Sequence, residues 1–178
     1  MFPNWFETQA HFFERNVPTA PLRALQIGAY TGDATEWLLN NREVVFLDDV
    51  DTWEGSQETA HETIDFSEVE SYYMDRFGED DRVVSHKMTS DAFFYAVKGT
   101  YNFIYIDGDH TAVQVALDAF NAWRLLEPGG VMGFDDYEWW DNPDEYLRPK
   151  RGIDAFLLAC AGKYQIIDQG YQLWIKKL

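Results

Sequence analysis

Cysteine and positive charge are what this 178-residue chain has least of: one cysteine, and 14 Lys+Arg against 31 Asp+Glu, a formal net charge of −17. A lone cysteine forms no internal disulfide, so nothing here calls for an oxidising compartment. Cys160 reads as a helical core residue. The shortage of Lys and Arg argues against unaided binding to DNA, RNA or anionic lipid, because phosphate contacts need clustered cations. No run of about 18 apolar residues exists, which predicts no membrane span. The opening MFPNWFETQAHFFERN lacks a basic leader and is broken by polar residues, so it does not read as a signal peptide. Repeats and low-complexity tracts are also missing. Together these absences suit a soluble, cytoplasmic protein.

Aromatic residues are plentiful, at 17% with 7 Trp, 10 Tyr and 13 Phe. A disordered chain would lack them, so a real core is expected. The length suits a single domain over 1–178.

Residues 1–20 read as an aromatic helical segment (Trp5, Phe6, Phe12, Phe13) ending at Pro18 and Pro21. Element types then alternate. Leu22–Ala29 predicts a strand running into a turn at Gly28–Gly32. Asp33–Asn40 predicts a helix with Ala34, Trp37 and Leu38 on one face. Glu43–Leu47 is a second predicted strand. Ser67-Glu68-Val69-Glu70 has the spacing of a capping box. Val69, Tyr72, Tyr73, Arg76 and Phe77 then share a face, with Gly78 as the stop. Arg82–Met88 predicts a third strand, Ser90–Val97 a short helix, and Tyr101–Asp107 a fourth strand. Thr111–Gln114 is another capping box, opening a helix predicted to turn Val113, Ala116, Leu117 and Phe120 inward. Pro128-Gly129-Gly130 ends it, and Val131–Phe134 is a fifth strand. Alternation of this kind means a parallel sheet covered on both faces. The chain closes differently: Tyr164–Ile167 and Tyr171–Lys176 are strands joined by Asp168-Gln169-Gly170. So short a connection requires an antiparallel pair.

Open parallel sheets bind ligands at the carboxyl ends of their strands. The residues predicted there are polar and acidic: Gln26–Asp33, Asp48–Ser56, Thr89–Asp91, Asp107–His110 and Asp135–Tyr137. The first turn is not a dinucleotide fingerprint. It spaces its glycines G-x-x-x-G, puts Tyr30 where a second glycine would stand, and sends Asp33 into the first helical turn. A carboxylate there disfavours a bound anion and suits a zwitterionic or cationic cofactor. Asp51 stands where an acid could accept ribose hydroxyls. Asp107, Asp135 and Asp136 come from two adjacent strand ends, and three such carboxylates repel unless a cation or protons intervene. An oxygen-only set favours a hard ion such as Mg²⁺. His110, at a helix start, could act as a base or serve as a structural hydrogen-bonding residue.

These residues resemble a known family. FIYIDGDHTAVQVALDAFNAWRLLEPGGVMGFDDY, from Phe103 to Tyr137, is similar to the class I methyltransferases that use S-adenosyl-L-methionine. It is close to the methyltransferase domain 24 group, which includes small bacterial and phage-encoded enzymes and relatives such as macrocin-type sugar O-methyltransferases. LQIGAYTGDATEWLL resembles the family's first motif, VDTWEGS its second, RVVSHKMTSDAFF its third, and YQLWIKK its closing strand. The resemblance implies a Rossmann-like α/β fold with a seven-stranded, mostly parallel sheet of order 3-2-1-4-5-7-6, its last strand antiparallel and helices on both faces. It also implies cofactor contacts. Gln26, Gly28, Ala29, Tyr30 and Gly32 would lie at the methionine part, Asp51 at the ribose, and Thr52, Trp53, Ser90 and Asp107 along the rest of the cofactor. In metal-dependent relatives, acids matching Asp107, Asp135 and Asp136 bind Mg²⁺, and one matching Asp109 is the proposed base. Two departures stand out. Gln26 replaces the usual Glu, and LDDV before Asp51 carries acids where apolar residues are usual, leaving Asp48 and Asp49 as alternative ribose ligands.

The implied chemistry is methyl transfer to an oxygen of a small molecule, a sugar or phenol hydroxyl, with Asp109 favoured over His110 to take the proton. The segment 1–20 and the loop 138–151, with Trp139 and Trp140, would wall the site, unless a second copy in a homo-oligomer supplies the walls. The rivals are an NAD-binding oxidoreductase and a non-catalytic module on the same fold.

Overall fold

The computed structural model describes residues 2–56, 61–140 and 143–178. A 3-10 turn at Phe6–Thr8 leads into α1, Ala10–Asn16. The alternating part follows as β1 (Leu22–Ile27), α2 (Asp33–Asn41), β2 (Val44–Asp51), α3 (Phe66–Phe77), β3 (Val83–Lys87), α4 (Ser90–Ala96), β4 (Tyr101–Ile106), α5 (Ala112–Leu125) and β5 (Leu126–Phe134). The chain ends with α6 (Pro149–Ala159), β6 (Tyr164–Gln169) and β7 (Leu173–Lys177). All seven strands form one sheet of order 3-2-1-4-5-7-6, and β7 runs antiparallel to both β5 and β6. The expected topology is therefore the observed one.

Several boundaries differ for physical reasons. The second strand does not stop at Leu47 but carries Asp48 and Asp49 inside it. His86 and Tyr101 satisfy Asp48, while Thr35 and Tyr73 satisfy Asp49. The cap of α3 is Asp65, whose carboxylate accepts the Ser67 N–H at 3.0 Å; the predicted Ser67 box is not used. Thr111 does cap α5, accepting from the Gln114 N–H. The face of α5 is a correction. Val113 is 70% exposed, and Leu117 and Phe120 are also exposed. The buried face is Val115, Asp118, Ala119 and Ala122, because small residues let the helix approach the sheet closely. Pro149 opens α6, so the end of the predicted 138–151 loop is helical; Asp141 and Asn142 of that loop lie outside the described residues. Cys160 is buried at the C-cap of α6.

Two apolar layers sandwich the sheet. On one side, Ile104, Ile106, Met132, Phe134 and Ile175 meet α4, α5 and α6. On the other, Phe103, Tyr105 and Trp174 meet α1 and α2 around Phe13, whose ring sits edge-on to Tyr105 and Trp174. Arg15 and Asn16 each bond Asp168 at 2.8 Å and tie α1 to β6. Among the described residues, no helix is long and apolar enough to cross a membrane.

Candidate active site

The first turn leaves β1 through Gly28 at φ +89° and reaches α2 through Gly32 at φ +82°. A Cβ on Gly28 would run into the Asp107 carbonyl, and one on Gly32 into the rings of Phe77 and Tyr73. Both positions therefore need glycine on steric grounds as well as for their left-handed backbone. Gln26 is 2% exposed; its Nε2 donates to the Gly28 carbonyl at 2.9 Å, which fixes the start of the turn.

Asp51, at the end of β2, faces this turn. Its Oδ2 accepts the N–H groups of Ala29 (2.9 Å) and Tyr30 (2.8 Å), and its Oδ1 accepts the Trp53 N–H at 2.7 Å. In a pyrophosphate site these turn donors would face the ligand. Here the chain's own carboxylate occupies them, so an anion is disfavoured and a cationic or zwitterionic group fits. A carboxylate with three N–H partners still has acceptor capacity for a hydroxyl. Asp48 and Asp49 are 5% and 0% exposed and engaged inside β2, whereas Asp51 faces the turn. Burial, outweighing the bonds from Thr35 and Tyr73, raises Asp49 to about 6.

Trp53 is 3% exposed; its Nε1 donates to the Tyr30 carbonyl and its ring packs on Tyr73. It supports the turn from below and offers no open face. Thr52 accepts the Glu54 N–H. Trp5 of the N-terminal segment stacks on Tyr30, ring centroids 4.6 Å apart. Burial first, then Asp33, pushes the Tyr30 phenol up to about 12. At the end of β3, Ser90 accepts from Gln114, whose amide also donates to Asp118.

The acids after β4 and β5 do not meet as expected. Asp107, His110 and Asp136 bring one ligand atom each within 4.8 Å of one another. His110 Nε2 lies 2.9 Å from Asp136 Oδ2 and 3.4 Å from Asp107 Oδ1. Asp135 is not in this group: its Oδ1 accepts from Gln172 Nε2 at 2.8 Å. Burial, then the carboxylates of Asp107 and Asp136, push Asp135 well above the usual carboxylate range. The cause is backbone geometry. Neighbouring residues leaving a strand point to opposite sides, and Asp136, at φ +53°, turns its carboxylate toward His110. Asp109 is exposed and accepts the Thr111 N–H at 2.7 Å, so it serves the lead into α5. The trio thus contains one imidazole in place of the third carboxylate, a set that fits an ion tolerant of nitrogen, such as Mn²⁺, better than an oxygen-seeking Mg²⁺.

Sequence reasoning missed several partners. Tyr171 donates to Asp136, and Gln172, 0% exposed, joins Asp135, Tyr105 and Trp174. The clue was a glutamine directly before the apolar run Leu173-Trp174-Ile175. Lys150 of α6 lies over the Tyr137 ring at 3.9 Å, and Tyr137 donates to Asp154. Trp139, in the loop after β5, packs near His110, ring centroids 5.5 Å apart.

A family model described as a methyltransferase domain matches residues 25–137. No curated protein matches the sequence. Among solved structures, an N-methyltransferase from Bradyrhizobium japonicum superposes with a TM-score of 0.65 at 14% identity, covering 99% of each chain. An O-methyltransferase from Bacillus cereus, in complex with S-adenosylhomocysteine, gives a TM-score of 0.62 at 18% identity, covering 99% of this chain and 82% of that one. The O-methyltransferase TomG from Streptomyces achromogenes, in complex with S-adenosylmethionine, gives 0.60 at 16% identity, over 88% and 73%.

Proposed function

From a chain that belongs to the methyltransferase-domain family, a class I S-adenosylmethionine-dependent methyltransferase, we propose an enzyme that methylates a hydroxyl of a small molecule. The observation that carries this reading is the cluster of Asp107, His110 and Asp136 within 4.8 Å at the ends of β4 and β5. A hydroxyl acceptor must give up a proton at or before transfer, whereas a neutral amine needs no base to attack.

The cofactor supplies an activated methyl group on a positively charged sulfur. The chain aligns it. Gly28, Ala29, Tyr30 and Gly32 would hold the methionine part against the turn, with Gln26 fixing the Gly28 carbonyl. Asp51 would take the ribose hydroxyls with its remaining lone pairs. Thr52 and Ser90 would border the adenine, and Trp53 would brace this region from the core. Asp107 would stand between the cofactor turn and the acceptor.

His110 would take the acceptor's proton and, once charged, pair through its Nε2–H with Asp136 at 2.9 Å. Asp109 remains the alternative base carried by the family resemblance. Should a divalent ion bind, Asp107, His110 and Asp136 would hold it; it would lower the pKa of the acceptor hydroxyl and, by occupying the imidazole, leave the proton to Asp109. Trp5 and the rest of 1–20, together with Trp139 and Trp140 in 138–151, would form the acceptor walls within a single domain over 1–178.

The net charge of −17 favours a small acceptor over a nucleic acid. The experiment is release of S-adenosylhomocysteine from S-adenosylmethionine across phenols, sugars and amines, with and without Mn²⁺ or Mg²⁺. Turnover with hydroxyl acceptors supports the reading; turnover confined to amines overturns it.

A further inference from the structure

Asp49 lies in the middle of β2, is fully buried, and is used by no step above. Two side chains converge on its Oδ2: the Thr35 hydroxyl from α2 and the Tyr73 hydroxyl from α3, both at 2.6 Å. Each leads to one end of the glycine turn. The one Thr35 proton is shared weakly with Gln26 Oε1, 3.4 Å away, so Asp49 sets the hydroxyl against which that amide packs, and the amide's other end donates to the Gly28 carbonyl at 2.9 Å. The Tyr73 ring lies directly under Gly32, close enough to exclude a Cβ there.

We propose that Asp49 is a positioning residue for the cofactor, one buried carboxyl group that holds Gly28 through Thr35 and Gln26, and Gly32 through Tyr73. Gln26 and Asp49 are also direct partners across β1 and β2. A carboxylate at position 26 would lose the N–H that holds Gly28 and would face Asp49 across the strands. The amide on β1 and the acid on β2 are therefore one unit. The inference rests on the cofactor assignment made above, in which the turn meets the methionine half of the cofactor and Asp51 the ribose.

The test compares two ligands by calorimetry: S-adenosylhomocysteine, which carries both halves, and adenosine, which carries only the second. Asp49→Leu is expected to weaken S-adenosylhomocysteine about tenfold or more and to leave adenosine within about twofold, while Asp49→Asn, which keeps the accepting oxygen, stays near wild type for both. General loosening of the fold would weaken both ligands alike. If Asp49→Leu does not fold, Thr35→Val and Tyr73→Phe cut the two arms singly and should each give the same selective loss. Equal losses for the two ligands, or none, overturn the inference while the cofactor assignment stands. Failure of the wild type to bind S-adenosylhomocysteine overturns both.

Discussion

The carboxylate of Asp51 accepts the backbone N–H of Tyr30 at 2.8 Å, and so stands in the place where a nucleotide-binding turn would hold phosphate. Asp51 is thus a brace for the turn and, in the proposed reading, the acid that would take the ribose. Asp51→Ala should weaken S-adenosylhomocysteine by about 1.5–3 kcal/mol, the scale of hydrogen bonds to a charged group. Calorimetry checks this. Unchanged affinity in the variant would remove Asp51 from the cofactor contacts. The same occupied donors predict no thermal stabilisation by NAD.

The base is tested by His110→Ala and Asp109→Asn, assayed in chelator for rate against pH with a hydroxyl acceptor. His110→Ala should lower kcat by roughly 100-fold or more, within the range of general-base contributions, and remove a limb of the profile. Asp109→Asn should keep most turnover, because its carboxylate serves the Thr111 N–H. The opposite pattern would restore Asp109 as the base.

Ion binding separates the two aspartates after β5. Mn²⁺ titrated by calorimetry or electron paramagnetic resonance should bind wild type. Asp136→Asn should weaken it by at least about tenfold, and Asp135→Asn, whose carboxyl faces Gln172, far less. Equal losses from the two variants would return Asp135 to the ligand set.

Asp118, 1% exposed on α5, is raised by burial to about 6 despite bonds from Ser90 and Gln114. Its folded value lies above its unfolded one, so the folded state binds the extra proton. Its contribution is full below about pH 4 and is lost as pH rises through 6. Stability should therefore fall between about pH 4 and 6, and Asp118→Asn should flatten part of that slope, by about 1–3 kcal/mol. Denaturant unfolding at a series of pH values measures it. Parallel curves for the two proteins would contradict the assignment.

Gly152 of α6 faces the Ala112 carbonyl so closely that a Cβ would overlap it. Gly152→Ala should push α6 off α5 and cost about 1–3 kcal/mol, as overpacking does. An unchanged denaturation midpoint would mean the helices separate freely there.

Local pattern made much of this molecule legible before its structure. The alternation of elements, the G-x-x-x-G turn, the Thr111 cap and the closing hairpin are short-range features. They depend on backbone period and on turn residues a few positions apart, and together they mark a parallel sheet closed by an antiparallel pair, while the strand order came from the family resemblance. Tertiary structure decided what depended on long-range partners. Asp48 and Asp49 looked like a strand end because acids rarely sit in a core. Their partners His86, Tyr101, Thr35 and Tyr73 come from four other elements. The buried face of α5 is its small-residue face, a choice made by the approach of the sheet and α6, although the larger apolar residues lie on the other. Asp135 and Asp136 are neighbours in sequence with equal side chains. One joins His110 and the other Gln172, because a single positive φ at the end of β5 sends adjacent carboxylates to different partners.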